Sequence, residues 1–419
     1  MDRLEERQLM DAAPWTALPF GINPHRVVAP APARIAQPIS TISTNDSGRH
    51  LAHTNMIKVD SQRLAVDRGI VRAQAASALP TLDLSRRQNE VLFAHRGYDY
   101  APTIIFDGGK YRMWWMGEQD RRDVIYYAES SNLFGSWSSP KVVFTPAGTS
   151  WYSGLTGDPS VIKVGSYYYM YFSGARSSGN NNMIGAARSR DGLEWEILNG
   201  GKPIVRPNRD ANAPSFLNHY GAGQPSVVHV DGWYYMAYTD TTGRASIPGN
   251  GAGIYVIRSR TPDFLSNVQE LSASPGSAAP TFQARDNSRL GYGNFRTDYR
   301  LLEAFSVDWQ YSDQLQSFVL AHSQGHEAMR VTRLDFFNKS LTKNTGFLDV
   351  PDVDWTEGPG LIHTFEGHSL PTSNGQRSIP MRIVRPVGLS IDGLKHDDPE
   401  RLRRARTWDL KATAFNVTF

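Results

Sequence analysis

Asp158-Pro159-Ser160-Val161-Ile162, a turn at Gly165-Ser166, and then Tyr167-Tyr168-Tyr169-Met170-Tyr171 form the stretch that decides how this 419-residue chain folds. A β-branched run, a tight turn and an aromatic run together mark a β-hairpin. The unit recurs on both sides. Upstream it reads Ala101-Pro102-Thr103-Ile104-Ile105, Asp107-Gly108-Gly109, Tyr111-Arg112-Met113-Trp114-Trp115. Downstream it reads Gln224-Pro225-Ser226-Val227-Val228, Asp231-Gly232, Tyr234-Tyr235-Met236-Ala237-Tyr238. Each hairpin is followed by another strand-like run, at 126–130, 185–189 and 255–259. The prolines at 102, 159 and 225 are spaced by about 57 and about 66 residues, a period that belongs to repeat architectures. A repeat of that length with four strands is the blade of a β-propeller.

Weaker copies extend the pattern. Ala304-Phe305-Ser306-Val307-Asp308 precedes Phe318-Val319-Leu320-Ala321-His322, and Gly358-Pro359-Gly360-Leu361-Ile362 precedes Met381-Arg382-Ile383-Val384-Arg385-Pro386. The expected fold is therefore all-β, a five-bladed β-propeller over residues 89–419, with 407–419 as the closing strand. Residues 1–88 are expected to form an irregular N-terminal arm. Positions 29–38 are rich in Ala and Pro, positions 39–47 in Ser and Thr, and no hydrophobic period runs through them.

Composition removes several functional classes. The absence of cysteine excludes disulfides, thiol catalysis and cysteine-bound metals. The net charge of +3 is mild. Its one dense cluster, Arg401-Leu402-Arg403-Arg404-Ala405-Arg406, lacks interleaved aromatics and reads as a solvated edge, so no nucleic-acid partner is expected. No apolar run approaches 18 residues, so no membrane span is expected. The charged start Met1-Asp2-Arg3-Leu4-Glu5-Glu6 carries no signal peptide pattern, and an extracellular or periplasmic location is favoured only by the lack of cysteine. Phosphate-binding glycine loops, dinucleotide fingerprints and serine elbows are absent, and no cofactor is expected.

The inner strand of a propeller blade starts near the central funnel, so carboxylates at those starts are the candidates for chemistry. They are Asp99, Asp158, Glu303 and Glu357. Two such groups suit glycosidic hydrolysis, one as acid and the other as base or nucleophile, and their separation sets the stereochemical outcome. Capping of turns by side-chain hydrogen bonds is the structural alternative for Asp99 and Asp158. Aromatic faces stack on sugar rings. Trp115, Trp151 and Tyr152 are candidate carbohydrate contacts, the last two in a loop that leads into the second inner strand, with packing between blades as the alternative.

With Asp158-Pro159-Ser160-Val161-Ile162, Tyr167-Tyr168-Tyr169-Met170-Tyr171-Phe172-Ser173-Gly174 and Ala187-Arg188-Ser189-Arg190-Asp191-Gly192-Leu193-Glu194-Trp195, the second repeat resembles the five-bladed propeller glycoside hydrolases. These are the arabinanase and xylosidase family 43, the invertase-like family 32, levansucrase-type enzymes and the mannoside phosphorylases. The resemblance spans about residues 91–395 and implies the fold more strongly than the activity. It implies a base, an orienting carboxylate and an acid from the first three inner strands. Asp158 matches the second. Ala101 stands directly before Pro102, so the first role would fall to Asp99. Gln224 holds the third position, and a neutral amide cannot act as the acid. Glu357, in Glu357-Gly358-Pro359, and Glu303 are then the candidates for that role, while Gln224 becomes a candidate substrate contact. Related enzymes also imply a cation on the propeller axis held through a histidine. His363, Glu366 and His368 are the residues to consider, with His368 also a candidate substrate contact and a polar loop as the alternative.

The resulting expectation is a glycoside hydrolase acting on a polysaccharide or oligosaccharide. The alternative is a non-catalytic carbohydrate-binding or structural propeller, in polysaccharide assembly or receptor binding.

Overall fold

The computed structural model describes residues 81–93, 99–120, 122–176, 181–207, 220–242, 246, 253–272, 280–284, 299–304, 306–323, 329–337, 340–350, 358–371, 378–387 and 409–418. Among these the regular elements are strands, apart from a single 3-10 turn at Asn199–Gly201. The chain is a β-propeller, and its antiparallel pairings divide the described strands into five groups.

The first strand, β1 (Thr81–Phe93), is set aside for the last group. The first group is β2 (Asp99–Asp107), β3 (Lys110–Gln119), β4 (Arg122–Ser130) and β5 (Lys141–Phe144). The second is β6 (Leu155–Val164), β7 (Tyr167–Ala175), β8 (Met183–Ser189) and β9 (Glu196–Ile197). The third is β10 (Ala222–Val230), β11 (Trp233–Asp240), β12 (Ile254–Ser259) and β13 (Gln269–Ser272), with β14 (Thr281–Ala284) added outside. β15 (Val307–Ser312), β16 (Ser317–Ser323), β17 (Met329–Phe337) and β18 (Ser340–Val350) form the fourth. In the fifth, β19 (Gly360–His363) and β20 (Ser378–Val387) pair with each other, and β20 pairs with β21 (Asp409–Thr418).

The fourth strand of that last group is β1, antiparallel to β21 from Thr81↔Thr418 to Phe93↔Leu410. The C-terminal run forms the expected strand as β21, but the outermost strand of the group comes from the front of the chain, and residues 81–88, expected in an irregular arm, belong to it. The sequence hid this because six consecutive polar residues, Ser85 to Glu90, break the alternation. The register shifts there, between Asp83 and Gln88, and partnering by β21 supplies the order that local pattern does not.

Apolar clusters lie between each two consecutive groups. Trp114, Ile105, Val161 and Met170 join the first and second. Tyr171, Ile162, Val227 and Met236 join the second and third. Val228, Tyr235, Trp309 and Phe318 join the third and fourth, and Val319, Leu361, Met381 and Phe415 the fourth and fifth. Ile104, Trp115, Ile362 and Leu410 join the fifth back to the first, where β19 also pairs with β2 in parallel through Ile362↔Ile104. Burying a ring of this size contributes on the order of 2–3 kcal/mol, provided its polar atom is satisfied. The three largest are satisfied: Trp114 Nε1 donates to the Gly192 carbonyl (2.8 Å), Trp309 Nε1 to the Ser226 carbonyl (2.9 Å) and Trp115 Nε1 to Asp99 (2.5 Å).

The repeated X-Pro step has a repeated backbone form. Ala101, Asp158 and Gln224 have φ of 44°, 46° and 50°, each just before its proline and each at a register shift in its hairpin. Left-handed backbone before proline costs about 1–3 kcal/mol per residue and persists where surrounding structure enforces it. The bulge turns residue X off the strand's alternation and toward the axis. Gly358 occupies the same step in the fifth group with φ 65°, where any side chain would press on Ala101 and Tyr100.

Candidate functional site

The five inner strands meet at a small axial cavity of about 20 Å³. Its walls come from the same step of each repeat: Ala101, Asp158, Gln224, Ser306 and Gly358, together with the residues that follow them. Hydrogen bonds fix this equivalence. Two positions further on, each side chain accepts the amide of the next inner strand. Thr103 Oγ1 accepts Val161 N (3.3 Å), Ser160 Oγ accepts Val227 N (3.0 Å), Ser226 Oγ accepts Trp309 N (3.1 Å), and Asp308 Oδ2 accepts Leu361 N (2.6 Å). The fifth member is Gly360, where a side chain would collide with the Pro102 carbonyl.

Asp158 is thus the one carboxylate among the five X positions, and it is buried. Its Oδ2 accepts a hydrogen bond from the Tyr220 hydroxyl at 3.0 Å. Burial and the charge of Asp158 hold the Tyr220 phenol well above its ordinary pKa, so it remains a donor. Gly223 makes room for this ring, since a Cβ there would meet the Tyr220 hydroxyl and Ser173 Oγ. Ser173 Oγ in turn accepts Gln224 N (2.9 Å).

Gln224 is locked across the axis. Its Nε2 donates to Tyr100 Oη (2.8 Å) and its Oε1 accepts from Thr239 Oγ1 (3.0 Å). These partners orient the amide and join the first and third groups directly.

A second axial carboxylate, Asp308, was not singled out from sequence. Its Oδ1 takes Trp309 N (3.0 Å) and the Ser226 hydroxyl, and its Oδ2 takes Leu361 N. Burial outweighs these three donors and pushes its pKa up to about 7. The signal for Asp308 was the hairpin register. Matching Phe305-Ser306 to Pro225-Ser226 places the fourth repeat two residues out of step, whereas Asp308↔Ala321 corresponds to Ser226↔Ala237.

The other candidates lie elsewhere. Asp99 is fully buried and receives the Trp115 indole rather than lining the cavity. Glu303 is exposed and paired with Arg300. Glu357 lies outside the described residues; the following Gly358 does line the axis. Trp115 is fully buried, stacked on Phe93 (4.9 Å) and Tyr126 (5.6 Å), and offers no face to a sugar. Tyr152 is also buried, and Trp151 stacks on Phe172 (5.7 Å, 15°) while its Nε1 donates to the Gly201 carbonyl (2.9 Å). Both rings pack between the first two groups.

His368 sits at the opposite end of the inner strands. The turn that carries it crosses the ends of three of them: Lys163 N donates to Phe365 O (2.7 Å), His229 N to Glu366 O (2.9 Å) and Tyr311 N to Gly367 O (3.1 Å). His368 reinforces this plug, with Nε2 2.7 Å from the His229 carbonyl and Nδ1 2.9 Å from Asp313. His363 Nδ1 lies 2.7 Å from the Thr364 carbonyl, and burial lowers its pKa to about 4. Glu366 pairs with His229 at 3.3 Å. These side chains are engaged separately, and among the described residues no three His, Asp or Glu groups converge as metal ligands.

No family model matches the chain, and no curated protein matches it by sequence. Solved structures do match. A family 117 glycoside hydrolase from the marine bacterium Zobellia galactanivorans aligns at 10% identity and TM-score 0.51, over 79% of this chain and 90% of that one. The catalytic domain of a GH62 α-L-arabinofuranosidase from Coprinopsis cinerea aligns at 13% identity and TM-score 0.48, over 79% and 96%. An α-L-arabinofuranosidase from Lactobacillus brevis aligns at 13% and 0.44, over 76% and 90%. The chain shares the propeller fold of glycoside hydrolases.

Proposed function

We propose that this chain is a five-bladed, carbohydrate-active propeller that hydrolyses a glycosidic bond in a polysaccharide or oligosaccharide, with Asp158 as its principal axial carboxylate. The observation that carries this reading is the placement of Asp158. At the five equivalent X positions it is the single carboxylate, it lines the axial cavity, and Tyr220 orients it. The structural neighbours support glycan as the substrate class. A general acid completes the reaction, and Glu357 is the proposed residue because the Gly358-Pro359 step after it reaches the axis. Glu303, paired with Arg300, is the second candidate for the acid, and Asp99, which receives the Trp115 indole, is the candidate base.

One observation favours a second reading, a propeller that binds carbohydrate without cleaving it. Ala101 and the locked Gln224 fill two positions where a hydrolase of this kind would hold carboxylates. The readings separate in one experiment. The purified chain is offered a panel of plant and bacterial polysaccharides, with released reducing ends and binding measured side by side. Hydrolysis that Asp158→Asn abolishes supports the enzyme. Binding without release, weakened by the same substitution, supports the non-catalytic reading. Neither binding nor release across the panel removes carbohydrate as the substrate class.

A further inference from the structure

At the hairpin end of the inner strands, between the first and second groups, lies a cleft of about 550 Å³. From Asp158 to Lys163 at its rim is five residues of strand, about 17 Å, so the cleft is separate from the axial cavity. Four cations line it, Arg112, Lys141, Lys163 and Arg190, against Glu129 and Asp191.

Their partners divide the cations into two pairs. Arg112 and Lys163 converge on Asp107 (3.5 and 3.1 Å), which lies just behind the wall. Glu129 is held by Lys110 (2.6 Å), Arg112 (4.0 Å) and the Tyr127 hydroxyl (2.9 Å). Asp191 is engaged within its own turn. Its Oδ1 accepts from Ser189 Oγ and from the amides of Leu193 and Glu194, and those amides hold its pKa below the ordinary carboxyl range. Lys141 and Arg190 differ. Both are exposed, and neither has a carboxylate partner among the described residues. Arg190 is stacked on Tyr167, 4.8 Å from the ring centroid, which limits where its guanidinium can go. Tyr127 and Tyr168 also line the cleft as buried rings.

We propose that this cleft is a second binding site that takes an acidic glycan, a sugar bearing sulfate or carboxylate. The proposal rests on the carbohydrate reading above for its ligand class. Its volume lies in the range of small-ligand sites. Two exposed cations with no carboxylate partner among the described residues suit an acid group, and a guanidinium can hold either anion through paired N–H donors. A neutral glycan would leave Lys141 and Arg190 unanswered.

The test is calorimetric titration of the whole chain with four probes: sulfated dextran oligosaccharide, oligogalacturonate, neutral dextran oligosaccharide of equal length, and polyphosphate. The expected result is binding of one or both acidic glycans, with the better probe identifying sulfate or carboxylate. The neutral probe and polyphosphate should bind at least tenfold more weakly. Lys141→Glu combined with Arg190→Glu should cost roughly tenfold or more in affinity, as two exposed attractions become repulsions. Both positions are exposed, so an unchanged circular dichroism spectrum and melting temperature confirm that the variant folds. Asp158→Asn should leave this binding unchanged, which keeps failure here distinguishable from failure of the axial assignment. Absence of binding by both acidic glycans, equal binding of the neutral probe or polyphosphate, or unaltered affinity in the double variant would overturn the proposal.

Discussion

The two ends of the inner strands solve different problems. At their starts five strands converge so tightly that the cavity is about 20 Å³, and every residue there is chosen by what its neighbour's backbone allows. At the hairpin end between the first two groups the sheets diverge, the cleft reaches about 550 Å³, and long cations line it from the strands β3, β5 and β6 and from the turn after β8. Tight convergence makes one carboxylate, Asp158, conspicuous, because the equivalent positions are Ala101, Gln224, Ser306 and Gly358. Divergence makes room for a ligand but places little constraint on any single side chain. Substitutions should therefore be costly at the axis and cheap in the cleft.

The largest effect is expected at Gly360. A side chain there must displace the Pro102 carbonyl, where β19 pairs with β2. Gly360→Val should destabilise the fold by several kcal/mol, of the order of severe core overpacking or more, seen as a lowered urea midpoint or loss of soluble protein. An unchanged midpoint would mean the two strands are not in this contact.

Trp309→Ala comes next. It removes a buried ring between the third and fourth groups and its bond to the Ser226 carbonyl, and should cost about 3–5 kcal/mol by denaturant unfolding.

Asp308 tests the electrostatics of the axis. Its folded pKa of about 7 lies above that of an unfolded aspartate, so the folded chain retains a proton that the unfolded chain releases. Its contribution is full below about pH 4 and is lost as pH rises toward 7. Asp308→Ser restores the residue type of Ser160 and Ser226 and keeps an acceptor for Leu361 N. The variant should gain roughly 2–3 kcal/mol relative to the wild type between pH 5 and pH 7.5. Parallel pH profiles would show that Asp308 is ionised throughout. His363 works in the other direction: its folded pKa of about 4 means stability present above pH 6.5 is lost as pH falls toward 4.

The smallest effect belongs to the cleft. Lys141→Ala and Arg190→Ala should each stay within about 0.5 kcal/mol of wild-type stability. A larger loss would make the cleft a structural element and dissolve the contrast.

Much of the fold was legible because three repeats carry the same X-Pro step, turn and aromatic strand. Local chemistry dictates each hairpin. What remained hidden depends on distant partners. Strand β1 has no alternation across 85–90 and becomes strand through β21. The fourth repeat lacks its proline, so only pairing register shows that Ser306 and Asp308 match Gln224 and Ser226. Among candidate site residues, the axial position of Asp158 was legible because it precedes a proline. Asp99 and Trp115 were each plausible alone, yet they satisfy one another inside the core. Tyr220 could not be reached from spacing at all, since its bond to Asp158 spans two strand groups.

The most direct test of the central claim compares wild type, Asp158→Asn and Tyr220→Phe on the substrate that the polysaccharide panel identifies. Turnover should fall about 10²–10⁴-fold in Asp158→Asn, the range for loss of a catalytic carboxylate, with melting temperature nearly unchanged. Tyr220→Phe should fall less, because it removes orientation and leaves the carboxylate. Full turnover by Asp158→Asn in a folded protein would contradict the account and reduce Asp158 to a turn residue beside the axis.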